Sequence, residues 1–250
     1  MISIDLNCDM GESWYNDLVG QDEALMPVIS SCNLACGVHG GDPNTMTASI
    51  TLALKHEVAI GAHPSLPGRE NFGRDSLEMS ENELFELVLT QVQRLQQAAK
   101  SQGGTVQHLK PHGALYHQVA KNVDKAEVIC EVMKTTGINK LFGLPDSAVE
   151  NIAQKHSLQF IPEGFIDRVY QDAGSLRSRK LPGAVIHSPA LAAAQALRLA
   201  KFGEVVDFSG QVHTQKVNTL CIHGDHPEAL QHARAVNELL RKEGIVVQSC

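Results

Sequence analysis

The sequence predicts an α/β fold, a TIM-like (β/α) barrel of seven strands, somewhat distorted, formed as one domain over residues 1–250. Three observations predict it. Strand-like runs alternate with helical patterns along the whole chain, the order of a parallel sheet with helices outside it. The 250 residues suffice for a large core, and α/β barrels commonly reach this length as one domain. Residues able to do chemistry follow nearly every strand-like run, as at a barrel rim, whereas an open doubly wound sheet would gather them at one switch point.

The elements follow in order. Residues 2–7 alternate Ile2, Ile4 and Leu6 with Ser3, Asp5 and Asn7, a half-buried strand. A polar loop carries the chain to about residue 22, and residues 23–29 read as a short helix. Residues 30–38 form the second strand. Asp42 then caps a helix with Pro43 at its first position, and Met46, Ile50, Ala53 and Leu54 supply its apolar side. Residues 58–62 make the third strand, followed by a long loop rich in Gly, Pro and Arg. Ser80 and Glu83 form a capping box before a helix with Leu84, Leu87, Val88, Val92 and Leu95 at helical spacing. Gly103 and Gly104 end it, and residues 105–109 are the fourth strand. A helix over 123–136, a strand over 141–144, a helix over 148–156 and a strand over 159–162 come next. Residues 164–184 form the longest irregular stretch. Ser188 and Pro189 open a helix through residue 201. Residues 217–222 are the seventh strand, a helix starts at His226-Pro227 and ends near residue 242, and 245–247 add a short final strand. No repeat, low-complexity segment or linker divides the chain.

Composition removes several classes of function. The net charge is −7 with no basic cluster, which argues against nucleic acid and anionic membrane surfaces. No apolar run is long enough to span a bilayer. The first residues lead straight into a strand instead of a signal peptide, so a cytoplasmic protein is expected. Six cysteines lack zinc-ribbon or C-x-x-C spacing and read as reduced structural thiols. Cys8, inside the first motif, is the one thiol whose reactivity merits a test.

The strand ends carry the chemistry. Asp9 and Glu12 flank Met10-Gly11, and His39, His63, His112 and His223 each follow a strand. A lone histidine there is more often a packed, hydrogen-bonded residue, but four on one rim point to a shared site. Gly40 and Gly41 can cradle an anion at the N-terminus of the helix capped by Asp42, or serve only as backbone punctuation. Lys110 can hold an anion, form a Schiff base or stabilise an oxyanion; the structural alternative pairs it with Glu163. Residues two apart in an extended segment point the same way, so Lys110 and His112 should face one pocket and lower each other's pKa. Arg168 and Arg179 can clamp a carboxylate. Asp9 with His39, His63 or His112 can hold a divalent ion with an open position. No H-x-x-x-H or H-E-x-x-H supports that spacing, so a protein-bound metal is not required by this reading. There is no Walker A motif and no strand-linked G-x-G-x-x-G. Any nucleotide therefore binds in another mode or on a partner.

The motifs IDLNCDMGES, NLACGVHGGDP, GAHPSLPG with FGR, LKPHGALY and GFIDRVY together resemble the LamB/YcsF family, in order and across nearly the whole chain. The resemblance implies a barrel of the glycoside hydrolase/deacetylase type. It also implies hydrolysis of 5-oxoproline to glutamate at the expense of ATP, with Mg²⁺ accompanying the nucleotide, in a complex with two further subunits, B and C. Taken with the strand-end chemistry, Asp9, His39, His63, Lys110, His112 and Glu163 become expected catalytic residues. Asn7, Glu12, Asn33, Gly40, Gly41, Arg168, Arg179 and His223 become expected substrate contacts. The alternatives are a stand-alone metal-dependent deacetylase or amidohydrolase, for which fold analogy is a weak warrant, and a subunit that only binds.

Overall fold

In the computed structural model, which describes residues 2–172 and 174–250, seven parallel strands close into a barrel. Met1, ahead of the first expected strand, and Ala173, in the expected irregular stretch, lie outside the described residues. The barrel strands are β1 (Ile2–Met10), β2 (Ser31–Ala35), β3 (Ala59–His63), β4 (Val106–Leu109), β5 (Lys140–Gly143), β6 (Gln159–Phe165) and β11 (Thr219–His223). Each pairs with the next in that order, and β11 returns to β1, with Asp9 opposite His223. A further strand, β12 (Ile245–Val247), pairs with the start of β1. The expected seven-stranded barrel is therefore observed.

The outer layer contains α1 (Asp22–Leu25), α2 (Pro43–Lys55), α3 (Glu81–Ser101), α4 (Gly113–Lys121), α5 (Val123–Thr136), α6 (Ala148–Lys155), α7 (Pro189–Phe202) and α8 (Ala229–Lys242). Local chemistry sets several of their starts. The Asp42 side chain accepts from the backbone N–H of Asn44 and Thr45, with Pro43 as the first helical residue. Ser80 and Glu83 make the reciprocal capping box expected of them. The apolar faces pack on the outward residues of the strands, among them Leu6, Cys8, Cys32, Leu34, Ile60 and Leu109, and this layer holds the main hydrophobic core.

One helix and two strand pairs differ from expectation. The helix α4 begins directly after Pro111-His112 and buries Leu115, Tyr116 and Val119. Its N-cap residue, His112, makes no side-chain capping bond, so the usual start signal is missing from the sequence. The stretch 164–184 contains a small antiparallel pair, β7 (Tyr170–Asp172) with β8 (Ser175–Leu176). A second pair, β9 (Glu204–Val206) with β10 (Val212–Thr214), fills the gap read as a connection between α7 and β11. Strands of two or three residues are too short to show a period of two.

The inside of the barrel is polar. Asp5, Asn7 and Asp9 of β1 meet Ser31 and Asn33 of β2, His108 of β4, Glu163 of β6 and Thr219 of β11. Branched apolar residues usually fill such barrels. Here a hydrogen-bonded column does so, and it ends at the C-terminal rim. Gly61 is required by it, since a Cβ there would lie 2.0 Å from His108 Nε2. No helix among the described residues is long and apolar enough to cross a membrane.

Candidate active site

A cavity of about 400 Å³ opens at the C-terminal end of the strands. Asp9, His63, Lys110, His112 and His223 line it, with Tyr116, Phe165, Arg168 and Arg179 on its walls. Asp9 lies inside β1, which runs three residues beyond its expected end, and Glu163 lies inside β6 for the same reason.

Lys110 stands at the centre of the floor. Its ammonium donates to Asp9 Oδ1 at 2.9 Å, Glu163 Oε1 at 2.8 Å and Asn7 Oδ1 at 3.3 Å, with Cys221 Sγ at 3.1 Å. An ammonium has three protons, so protein acceptors occupy all of them. Burial opposes the charge, but Asp9, Cys221 and Glu163 outweigh it and hold the ammonium well above the usual lysine range. This corrects the expectation that Lys110 and His112 lower one another. Only His112 falls, to about 3, chiefly by burial. The pairing of Lys110 with Glu163, weighed above as the structural alternative, is present. An ion pair this deep contributes little net stability against its desolvation, while removal of one partner strands the other charge.

Asp9 is held in place by two donors at Oδ1, Lys110 and Asn33 Nδ2, the latter at 2.9 Å. Its Oδ2 faces His63 Nε2 at 3.4 Å. Burial raises its pKa, yet His63 and Lys110 overcome this and hold it well below the usual carboxylate range. Asn33 also donates to Asn7 Oδ1 at 2.7 Å and accepts from His108 Nε2 at 2.8 Å. Asn7 donates to Glu163 Oε1 at 2.9 Å and to Thr219. Asn7 and Asn33 thus lie beneath the cavity lining and support Asp9, Lys110 and Glu163. Tyr116 closes the set by donating to Glu163 Oε2 at 2.7 Å. The sequence reading missed Tyr116, although it stands in the LKPHGALY motif one helical turn after His112. Cys221, alternating with Thr219 and His223 on β11, was also legible by strand parity.

The histidines form a second group beside this floor. His63 Nδ1 donates to the Lys110 carbonyl at 2.7 Å, and His112 Nε2 donates to the Phe72 carbonyl at 2.8 Å. The remaining nitrogens, His63 Nε2 and His112 Nδ1, face each other at 3.0 Å. His39 stacks on His112 with ring centroids 3.8 Å apart and planes 4° apart. Glu12 Oε1 lies 3.4 Å from His39 Nε2 and 3.6 Å from His112 Nδ1. Burial, then the Asp9 charge, raises the Glu12 carboxyl well above its usual range, and burial depresses His39. Glu12, His39, His63 and His112 could together hold a metal ion. Of the expected set with Asp9 as ligand, Asp9 Oδ1 is committed to Lys110 and Asn33, its Oδ2 faces His63 Nε2, and Asp9 forms a separate candidate group with Cys221 and His223.

The other expected contacts separate. Arg168 and Arg179 border the cavity. Arg168 is anchored through Nη2 to the Arg177 carbonyl at 2.7 Å, and burial with the nearby Arg179 lowers its pKa to about 10. His223 pairs with Asp167 at 2.9 Å, a partner not singled out from sequence. Gly40 and Gly41 pack behind the site: the Gly41 N–H donates to Ser13, and a Cβ on Gly40 would lie 2.3 Å from the Glu12 carbonyl oxygen. This is the backbone-punctuation alternative, not an anion cradle. Cys8 faces the core, and burial pushes its thiol well above the ordinary range, which leaves it unreactive.

Comparison with known proteins places this architecture. The chain is 43% identical over 248 residues to the 5-oxoprolinase A subunit of Bordetella pertussis, covering 99% of this chain and 98% of that one. It is 43% identical to the protein of the same name from Methylococcus capsulatus, over 98% of this chain and 95% of the other. A crystal structure of the lactam utilization protein from Thermus thermophilus superposes with a TM-score of 0.94 at 37% identity, over the full length of both chains. The sequence model of the LamB/YcsF family matches residues 4–250, and the chain belongs to that family.

Proposed function

We propose that this chain is the A subunit of an ATP-dependent 5-oxoprolinase, a hydrolase that opens the lactam ring of 5-oxoproline to give glutamate. The names of the full-length relatives support the activity. The observation that carries it is the cavity itself: in a chain of net charge −7, its mouth gathers Arg74, Arg168, Arg179 and Lys180 above Asp9, His63 and His112. A small substrate with one carboxylate and one amide suits that polarity. The carboxylate sits at the guanidinium groups, and the ring amide points toward Asp9.

Asp9 Oδ2 is the acceptor placed to orient and deprotonate an attacking water. Lys110 is a positioning residue, because its three protons already bind protein acceptors. His63 and His112 line the cavity beside the scissile bond, and Asp9, having taken the water's proton, returns it to the departing ring nitrogen. A carboxylate held well below its ordinary pKa is a weak base, and an unactivated lactam is a poor electrophile. Phosphorylation of the amide oxygen by ATP, with Mg²⁺, removes the difficulty by making that oxygen a better electron sink. With no nucleotide-binding motif in this sequence, the ATP site is assigned to a further subunit, B or C, or to a surface shared with one. The assembly is cytoplasmic on this reading.

The test is glutamate release from 5-oxoproline by the purified chain, with and without ATP, Mg²⁺ and the partner subunits. Turnover is expected only in the complete mixture. ATP-independent turnover by the isolated chain that is abolished by a chelator would instead select the stand-alone amidohydrolase.

A further inference from the structure

The two facing histidines pose a problem in hydrogen bonding. His63 Nδ1 and His112 Nε2 each contact a backbone carbonyl oxygen, which can only accept. Each ring therefore keeps its proton on that side, and in the neutral rings both His63 Nε2 and His112 Nδ1 present lone pairs. Yet these atoms stand 3.0 Å apart. Something positive has to lie between them. A proton would serve only by making one ring cationic, and it would still leave the buried Glu12 Oε1 beside it without a partner. Two imidazoles fixed by backbone carbonyls, with lone pairs converging, are instead the arrangement of paired metal ligands.

Glu12 supplies the independent observation. It is 5% exposed, and its Oε1 has no hydrogen-bond partner. That oxygen points at the same place, 3.6 Å from His112 Nδ1. An ion held at roughly 2.0–2.2 Å by tetrahedral donors sets them roughly 3.3–3.6 Å apart. The separations of 3.0 Å and 3.6 Å bracket that range, and each of the three residues offers a donor atom within 4.8 Å of those of the others. His39 has a different place. Its ring lies parallel to His112 at 3.8 Å, so its lone pair cannot aim at an ion in the plane of His112, and it packs over the site.

We propose that Glu12, His63 and His112 form a divalent transition-metal site of the two-histidine, one-carboxylate kind, with zinc as the matching ion. His63 and His112 line the cavity, so the open coordination position faces it, next to Asp9. Ion binding here does not depend on lactam hydrolysis and is measured without ATP, substrate or partner subunits.

The chain is stripped with chelator, loaded with Zn²⁺ and desalted, and its metal content is measured. Co²⁺ is used in parallel as a spectroscopic substitute. One ion per chain is expected, with the intense visible absorption of four-coordinate Co²⁺. Glu12→Gln and His112→Asn should each weaken binding at least tenfold. The surface group His187, His226 and Glu228 and the rim group Asp9, Cys221 and His223 are the competing locations, so His226→Ala and His223→Ala should each retain the ion. A folded wild-type chain that retains no ion overturns the site, however the variants behave. So does an ion lost in His226→Ala or in His223→Ala but kept in Glu12→Gln and His112→Asn.

Discussion

His108 shows how one residue links the barrel interior to pH. Its ring is buried inside the barrel, donates to Asn33 and stacks on Phe142 with centroids 4.1 Å apart. Burial, then the Lys110 charge, lowers its pKa from 6.5 to about 3. The unfolded chain therefore takes up a proton below pH 6.5 that the folded chain refuses until about pH 3. The stability held by the neutral ring is complete above the upper value and lost as the pH falls through this window, at about 1.4 kcal/mol per pH unit. His108→Gln keeps a donor for Asn33 and cannot titrate. Denaturant midpoints at pH 7 and 4.5 should show a loss smaller in the variant by on the order of 2 kcal/mol. Identical losses would contradict the assignment. The identity of these residues was readable, since Asp9, His63, Lys110 and His112 all stand at strand ends in the sequence. Their partners were readable only in part. The pairing of Lys110 with Glu163 was one of the alternatives, but nothing local in Lys110-Pro111-His112 reveals that Asp9, 101 positions away, brings a second carboxylate, so the charge state of Lys110 had to come from tertiary contacts.

At the scale of elements, legibility followed length and local chemistry. The helices α2 and α3 carry side-chain caps that mark their starts, and both were read closely. Helix α4 lacks a capping side chain, and the pairs β7–β8 and β9–β10 are too short for periodicity; these were missed. The ends of β1 and β6 were also placed early, because their last inward residues are polar and resemble loop. Packing of that polar interior makes the third strand sensitive. Gly61 allows His108 to pass against the backbone of β3. Gly61→Ala should force the ring off Asn33 and destabilise the fold by about 1–3 kcal/mol, the usual cost of overpacking, read as a lower urea midpoint at constant slope. An unchanged midpoint would mean the column tolerates a gap at Asn33.

At the scale of the molecule, the fold separates stability from chemistry. Apolar residues between strands and helices supply the core, while the inside of the barrel is given to a polar column that ends at Asp9 and Lys110. Such a column is a poor way to gain stability and a good way to hold an ionised carboxylate at the base of a cationic cavity. On the proposed mechanism, Asp9 acts on the water that opens the lactam. Asp9→Asn tests this, because asparagine keeps an Oδ1 acceptor for Lys110 and Asn33 and removes the base, while Glu163 remains as a carboxylate partner of Lys110. Glutamate release by the enzyme reconstituted with its partner subunits should fall by roughly a hundredfold or more, with the melting temperature of this chain measured alongside to normalise for folding. Turnover per folded molecule within about twofold of the wild type, well inside the range assigned to a lost acid–base group, would contradict the account and leave this chain a binding subunit.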